Sequence, residues 1–354
     1  MRLEFIDRVR EDEVLGKNIL TNDGKILLRA GIKINNRYVE KLKELGVFFV
    51  YVEDDRLEDI LVEDSRLAEL KQTTMKNMSR IMNNVYTCNS REIKDSLNIV
   101  EDMVDYIISM GDVNTSLYDI RTYDNYTYVH SLDTCIMASF LGLSDGSFNE
   151  KELKELAIGA ILHDIGKIKI SGKIINKCGA LTDEEFQEIK KHPIYGEEIL
   201  SKNVRIPDNS IKAVIQHHER VDGRGYPHRL TDKEISKFGK VVCICDVYDA
   251  VSNDRVYRNK FSPNEAYELI LAGSGSAFDS QLVKSFRETF AVYPLGCCVK
   301  LSNTIEGYVI RQNRNFPDRP VLRILYDSKT RSPIPFFEID LLEHPNLVVE
   351  AIVS

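Results

Sequence analysis

Five of the chain's seven histidines fall between positions 130 and 218, and two aspartates join them at similar intervals. The residues that could do chemistry are His130, the pair His163-Asp164, His192, the pair His217-His218, and Asp246, at successive spacings of 33, 29, 25 and 28 residues. Each spacing suits one helix, a turn and a returning helix, so a bundle could bring all seven side chains to one level. Imidazole and carboxylate together suit divalent iron, manganese, zinc or nickel, and no thiolate cluster points to an iron–sulfur site. Seven ligands exceed a single tetrahedral site. They fit a pair of ions about 3.5–4 Å apart, bridged by a carboxylate and activating a water, with Asp164 as the expected bridge. A lone histidine at a helix end is ordinarily a cap or a surface residue, and His228 and His344 read that way. A regularly spaced set is much harder to explain as caps.

The neighbouring residues say how the ligands are positioned. Leu153, Leu156, Ala157, Ala160 and Ile161 form the apolar face of a helix that stops near Gly166, which puts His163 and Asp164 in its last turn. Thr182-x-x-Glu185 is a capping box that opens a second helix. That helix is expected to end at His192, because Pro193 disfavours helical geometry at the residue before it. A third helix from about Asn209 should end at His217-His218, ahead of the glycine-rich turn Asp222-Gly-Arg-Gly-Tyr-Pro227. Adjacent residues do not share a helix face, so neighbouring ligands converge only near a helix end or in a loop. The partial negative charge at a helix C-terminus also favours a cation.

The whole chain bounds what such a site could serve. At 354 residues, two or three compact units are expected, and 43% hydrophobic with 29% charged residues describes a folded chain. The net charge of −8 argues against a general nucleic-acid surface, so no DNA or RNA polymer is an expected partner. The first residues, MRLEFIDRVRED, lack the apolar core of a signal peptide. No apolar run approaches the roughly 18 residues of a membrane span. Seven cysteines at no zinc-like spacing suggest reduced thiols. The expectation is a cytoplasmic chain with no membrane partner.

Residues 1–56 read as a small α/β module, with Asn22-Asp23-Gly24 as a turn between Val14–Leu20 and Lys25–Ile34, a helix from Asn36 to Leu45 stopped by Gly46, and a strand over Val47–Val52. Residues 57–112 read as a helical connector. Ile93, Leu97, Val100, Val104 and Ile107 form one amphipathic stripe, and Met75, Met78, Met82 and Val85 another. Such stripes pack within a chain, with a connector shared by a homodimer as the alternative. Residues 113–290 are a helical unit holding the ligand set. Residues 291–354 become a small β domain with runs at Cys297–Leu301, Tyr308–Arg311, Val321–Tyr326 and Phe336–Ile339. The fold class is mainly α, a helical bundle flanked by a small α/β module and a small β domain.

His163-Asp164-Ile-Gly-Lys167, His192-Pro193-x-x-Gly196 and His217-His218-Glu219-x-x-Asp222-Gly-x-Gly225-Tyr226-Pro227 resemble the signatures of HD-GYP domains. Asp246-Val-Tyr-Asp249-Ala and Arg255-x-Tyr-Arg258 continue the resemblance, which covers about residues 115–290. It implies an HD-type hydrolase, a phosphodiesterase in which two or three metal ions, commonly iron or manganese, serve hydrolysis of cyclic di-GMP to the linear dinucleotide and on to GMP. By position, His130, His163, Asp164 and Asp246 would hold one metal, and Asp164 with His192, His217 and His218 the other. Lys167 would stabilise charge on the scissile phosphate, so Asp164 and Lys167 are the implied catalytic pair. Gly225, Tyr226, Pro227, Arg255 and Arg258 would meet the substrate, and the same loop could meet protein partners. Some relatives have a Glu where this chain has Tyr126, so two metals are expected rather than three unless Asp124 or Glu219 substitutes. Many have Arg-Pro-Tyr where this chain has Arg255-Val256-Tyr257. An HD-type phosphohydrolase acting on another nucleotide and a non-catalytic cyclic di-GMP receptor are the competing readings.

Overall fold

The computed structural model describes the chain except residues 22–23, 63, 85–89, 112–114, 117–126, 178, 204–205, 253–262, 328–329, 331 and 354. The chain opens with β1 (Arg2–Phe5), the paired β2 (Ile19–Leu20) and β3 (Ile26–Leu28), α1 (Asn36–Glu44), and β4 (Phe49–Val52), which pairs antiparallel with β1. Local chemistry sets these limits. The Asn35 side chain accepts from the Tyr38 amide at the start of α1, and Gly46, at φ +77°, provides the left-handed exit.

Two long helices follow, α2 (Ser65–Asn84) and α3 (Ser90–Met110). The stripe Ile93, Leu97, Val100, Val104 and Ile107 is buried in the main core, as are Met75 and Met78. The first stripe, and Met75 and Met78 of the second, therefore pack against the chain's own bundle, while Val85 and the Met82 side chain lie outside what is described. The strand β5 (Thr115–Ser116) leads to α4 (Thr127–Asp145) and α5 (Glu150–Leu162), a short 3-10 turn at Ile165–Lys169, α6 (Gly172–Ile175), α7 (Asp183–Ile189), α8 (His192–Asn203) and α9 (Asp208–Gln216). The helices α10 (Lys237–Ser252), α11 (Pro263–Ala272) and α12 (Ser280–Thr289) complete the bundle, and β6 (Phe290–Ala291) pairs with β5.

The C-terminal strands are β7 (Cys298–Leu301), β8 (Glu306–Asn313), β9 (Phe316–Tyr326), β10 (Pro333–Asp340) and β11 (Val349–Ile352), in one antiparallel sheet of order β10-β9-β8-β7-β11. The strand β11 escapes the sequence reading, since Val349-Glu-Ala-Ile352 is too short and weakly apolar to signal itself. This sheet packs on the first residues of the chain. Leu3, Phe49, Tyr51 and Leu57 share a cluster with Leu325, and the Leu3 amide donates to the Gly296 carbonyl at 2.9 Å. Arg323 bridges the two parts through Asp59 at 2.7 Å and Glu338 at 2.8 Å.

Inside the bundle, three glycines set how closely the helices approach. A Cβ on Gly159 of α5 would lie 2.6 Å from the Ala213 Cβ of α9, and one on Gly196 of α8 would lie 2.7 Å from Val214 Cγ1 of α9. A Cβ on Gly166, in the 3-10 turn, would lie 1.9 Å from the His192 carbonyl oxygen. These are the contacts between the elements that carry His163, His192 and His217. Glycine is required here by close approach rather than by a left-handed backbone.

One sequence expectation needs correction. The helix opened by the Thr182–Glu185 capping box ends at Ile189, and His192 begins the next helix instead of ending that one. Pro193 falls at the start of α8, where its missing amide hydrogen sacrifices no helical bond. Backbone atoms cannot yield to a methyl group at Gly166 without moving α8, so Gly166→Ala should cost about 3 kcal/mol or more. Denaturant melts of both proteins read this directly, and an unchanged midpoint would contradict the packing account.

Candidate metal centre

The seven ligand candidates meet in one place. Donor atoms of His192, His217 and His218 lie within 4.8 Å of one another, as do those of His130, His163 and Asp164. Asp246 joins the two groups: its Oδ1 is 2.9 Å from His130 Nε2 and 3.6 Å from His163 Nε2, and its Oδ2 is 3.6 Å from His218 Nδ1. Asp164 also faces both ways, with Oδ1 3.3 Å from His192 Nε2 and Oδ2 3.5 Å from His163 Nε2.

The orientation of the rings follows from helix ends. His163, His192 and His217 each place Nδ1 2.7 Å from the carbonyl oxygen three residues earlier, on Ala160, Ile189 and Val214. Those carbonyls lie in the last turn of α5, α7 and α9, and that of Ala160 also accepts the His163 amide at 3.4 Å. A carbonyl only accepts, so each Nδ1 carries the proton and each Nε2 presents a lone pair to the centre. The expectation that helix ends position the histidines therefore holds for His192 as well, through α7, although His192 itself starts α8.

This arrangement leaves acceptors facing acceptors. His192 Nε2 and His217 Nε2 are 3.1 Å apart, and His163 Nε2 and Asp164 Oδ1 are buried with no hydrogen-bond partner. Burial lowers His192 to about 4 and His218 to about 3, and it holds His217 well below its ordinary value, so all three rings are neutral at pH 7. Burial opposes ionisation of Asp164, but Lys167 and the neighbouring rings hold it well below the usual carboxylate range. Asp246 is likewise held low against burial, chiefly by His130. Clustered neutral imidazoles with ionised carboxylates are the donor set of a divalent cation site, and they fit one well. Burial pushes the thiols of Cys135 and Cys243 up to about 12, so neither offers a thiolate at neutral pH.

His130 is oriented differently. Its Nε2 faces Asp246, while its Nδ1 lies 2.5 Å from Asp249 Oδ2. Asp249 is fully buried one helical turn after Asp246, and the sequence reading gave it no role. The three-residue spacing on one helix was the available signal, since it places both carboxylates on the face that meets His130. A carboxylate behind a ligating imidazole fixes its tautomer and raises its basicity.

Around the centre, Lys167 Nζ is paired with Asp164 Oδ2 at 2.5 Å. The Tyr226 ring stacks on His218, with centroids 4.6 Å apart and planes at 28°. Pro227 is half-buried beside it. A Cβ on Gly225 would lie 2.4 Å from the Arg220 amide nitrogen, so this glycine serves close backbone approach, whereas Gly223 at φ +74° serves the turn. Both Glu219 oxygens accept backbone amides, from His228 at 2.7 Å and Leu230 at 2.9 Å, which commits that carboxylate to the loop. Arg255, Arg258, Asp124 and Tyr126 lie outside the described residues.

Comparison with known proteins gives the chain its relatives. Residues 138–282 match the family model described as an HD domain, and residues 298–354 match a KOW domain associated with HD domain. The first match begins after His130, which the fold adds from α4. Over residues 138–282 the chain is thus similar to HD domains. It is 30% identical over 244 residues to a cyclic di-GMP phosphodiesterase of Pseudomonas aeruginosa, covering 69% of this chain and 58% of that protein. It is 34% identical over 140 residues to a 3'3'-cGAMP-specific phosphodiesterase of Vibrio cholerae, covering 39% and 27%. The chain thus spans well under two thirds of these relatives. A solved HDG"Y"P protein of Bdellovibrio bacteriovorus shares the fold, with TM-score 0.54 at 18% identity over 80% of this chain and 97% of that one. Among the described residues, no helix is long and apolar enough to cross a membrane.

The electrostatics of His130 give a test that needs no substrate. Burial opposes its charge, but the carboxylates of Asp246 and Asp249 outweigh burial and raise the ring to about 10 from its ordinary 6.5. A raised folded-state value stabilises fully below 6.5, and that contribution is lost as pH rises through about 10. Chelator-treated protein should therefore lose melting temperature from pH 6.5 towards 10 more steeply than its His130→Gln variant. Equal slopes would contradict the Asp246–His130–Asp249 arrangement.

Proposed function

We propose that this chain is a phosphodiesterase that hydrolyses cyclic di-GMP, to the linear dinucleotide pGpG or on to GMP, using two divalent ions per chain, iron or manganese before zinc or nickel. The observation that carries the reading is the buried set of inward imidazole nitrogens facing two carboxylates, in a chain whose longer-matching relative is named for that activity. His130, His163, Asp164 and Asp246 would hold one ion, and Asp164 with His192, His217 and His218 the other. Bound there, divalent ions supply Lewis acidity and a water that ionises near neutral pH.

The chain's own groups then do the positioning. Lys167, now on Asp164, would turn its ammonium to the scissile phosphate and stabilise the charge that builds there. Tyr226, with Gly225 and Pro227 in its loop, would hold a base, and Arg255 and Arg258 would grip phosphate oxygens bidentately. We place this chemistry in a unit spanning 113–290, between a 1–56 module with its 57–112 connector and a 291–354 β domain, in the cytoplasm. Ile93, Leu97, Val100, Val104 and Ile107 pack within the chain with Met75 and Met78, so a homodimer through the connector would have to use its other faces. A second reading, hydrolysis of 3'3'-cGAMP, rests on the shorter Vibrio match.

Incubating the metal-loaded full chain with each cyclic dinucleotide, followed by chromatography of the products, decides between these readings. No product from either would refute both. Asp164→Ala should fall below a tenth of wild-type turnover and lose metal, because one side chain faces both ligand groups. Tyr226→Ala and Arg255→Ala should keep their metal and lose turnover through substrate positioning; loss of metal in either would make that residue a structural support.

A further inference from the structure

Among the described residues, the Lys190 ammonium lies beside the centre without a carboxylate partner. Lys191 pairs with Glu188 at 2.7 Å, Lys177 with Glu185 at 2.5 Å and Lys169 with Glu198 at 2.6 Å. Lys190, in the turn between α7 and α8, instead sits over two aromatic rings, with its ammonium 4.6 Å from the Phe186 centroid and 5.5 Å from the Tyr226 centroid. Both distances lie within cation–π range. The Phe186 contact is made along one helix end, but Tyr226 comes from the distant glycine-rich loop and stacks directly on His218. Lys190 is therefore one ring removed from the second group of ligand nitrogens. It is half-buried, while Phe186 keeps 45% of its surface exposed next to it.

A lysine held this way keeps its ammonium beside the Tyr226 ring and partly open to solvent. The ring faces attract the ammonium without neutralising its charge or using its hydrogen bonds, so it remains competent to bind an anion. The net charge of the chain is −8, so a retained, carboxylate-free cation at this position is a local departure from the surface as a whole. We infer that Lys190 is a further substrate-binding residue, contacting an oxygen of the phosphate that is not being cleaved. This inference rests on the phosphodiester reading above and specifies a second anchor for it. A cyclic dinucleotide has two phosphates. While one is at the ligand cluster, a cation displaced to one side by the width of a ring can select for the other.

The test compares wild type with Lys190→Gln and Lys190→Arg on cyclic di-GMP and on bis(p-nitrophenyl) phosphate, a diester with a single phosphate. Loss of one charge-assisted hydrogen bond predicts that Lys190→Gln raises KM for the cyclic dinucleotide about tenfold with little change in kcat. Its kcat/KM should fall about tenfold more on that substrate than on the single-phosphate diester. Metal content should stay at the wild-type level, and Lys190→Arg should recover most of the affinity. An unchanged KM in an active protein would overturn the inference and leave the phosphodiesterase reading standing. Equal losses on both substrates, or a fall in metal content, would also overturn it, by showing that Lys190 acts through Tyr226 and His218. Wild-type protein that cleaves neither substrate would refute the underlying reading instead.

Discussion

Three buried imidazoles each donate Nδ1–H to the carbonyl three residues before them, and the shape of the site depends on that bond. It costs the helices little, because the carbonyls belong to last turns, where most of the helical amide partners have run out. It fixes the tautomer, so every Nε2 must point a lone pair inward. It also repeats on three separate elements, which is why three rings converge with their acceptors face to face. Such an array is unfavourable by itself. A divalent cation would relieve it, and the two aspartates are held ionised and could balance its charge.

That bond tolerates little movement, and the packing around it is correspondingly tight. Gly159, Gly166 and Gly196 let α5, the 3-10 turn, α8 and α9 approach to distances that a methyl group would forbid. On the opposite side, Lys71 of α2 reaches Asp133 at 3.3 Å, three residues after His130 on α4. Asp133 is fully buried, so removing one partner of such a pair is costly. The same stretch of α2 supports the N-terminal hairpin, since the Gln72 amide donates to the Gly24 carbonyl at 2.7 Å. The first residues and the C-terminal sheet share a cluster and the Arg323 bridge, so the flanking parts form a continuous body with the bundle.

Much of this was legible in the sequence because the signals were chemical. His163, His192 and His217 stand out by residue type, and the Thr182–Glu185 capping box marks a helix start through a side-chain oxygen that accepts a free amide. The mainly α fold followed from apolar periodicity. What escaped detection depended on three-dimensional approach. Pro193 was read as a stop when it is a start, since proline suits both sides of a helix boundary. Asp249 looked like a motif neighbour until α4 and α10 packed together and aimed it at His130 Nδ1. The need for glycine at 225 appears only when its backbone meets residues 218–220. The strand β11 is stabilised by its pairing with β7, and its sequence alone carries little β signal.

The central claim is that seven side chains from separate elements are preorganised as one centre for a pair of metal ions. Elemental analysis of the full chain, purified anaerobically, tests it most directly. The account predicts a reproducible ratio near two metals per chain, falling sharply when His192 and His217 are both replaced by Gln. A chain that stays metal-free after exposure to ferrous or manganous ions would contradict it. A ratio near three that drops on Tyr126→Phe would contradict the count, by making that phenol a ligand.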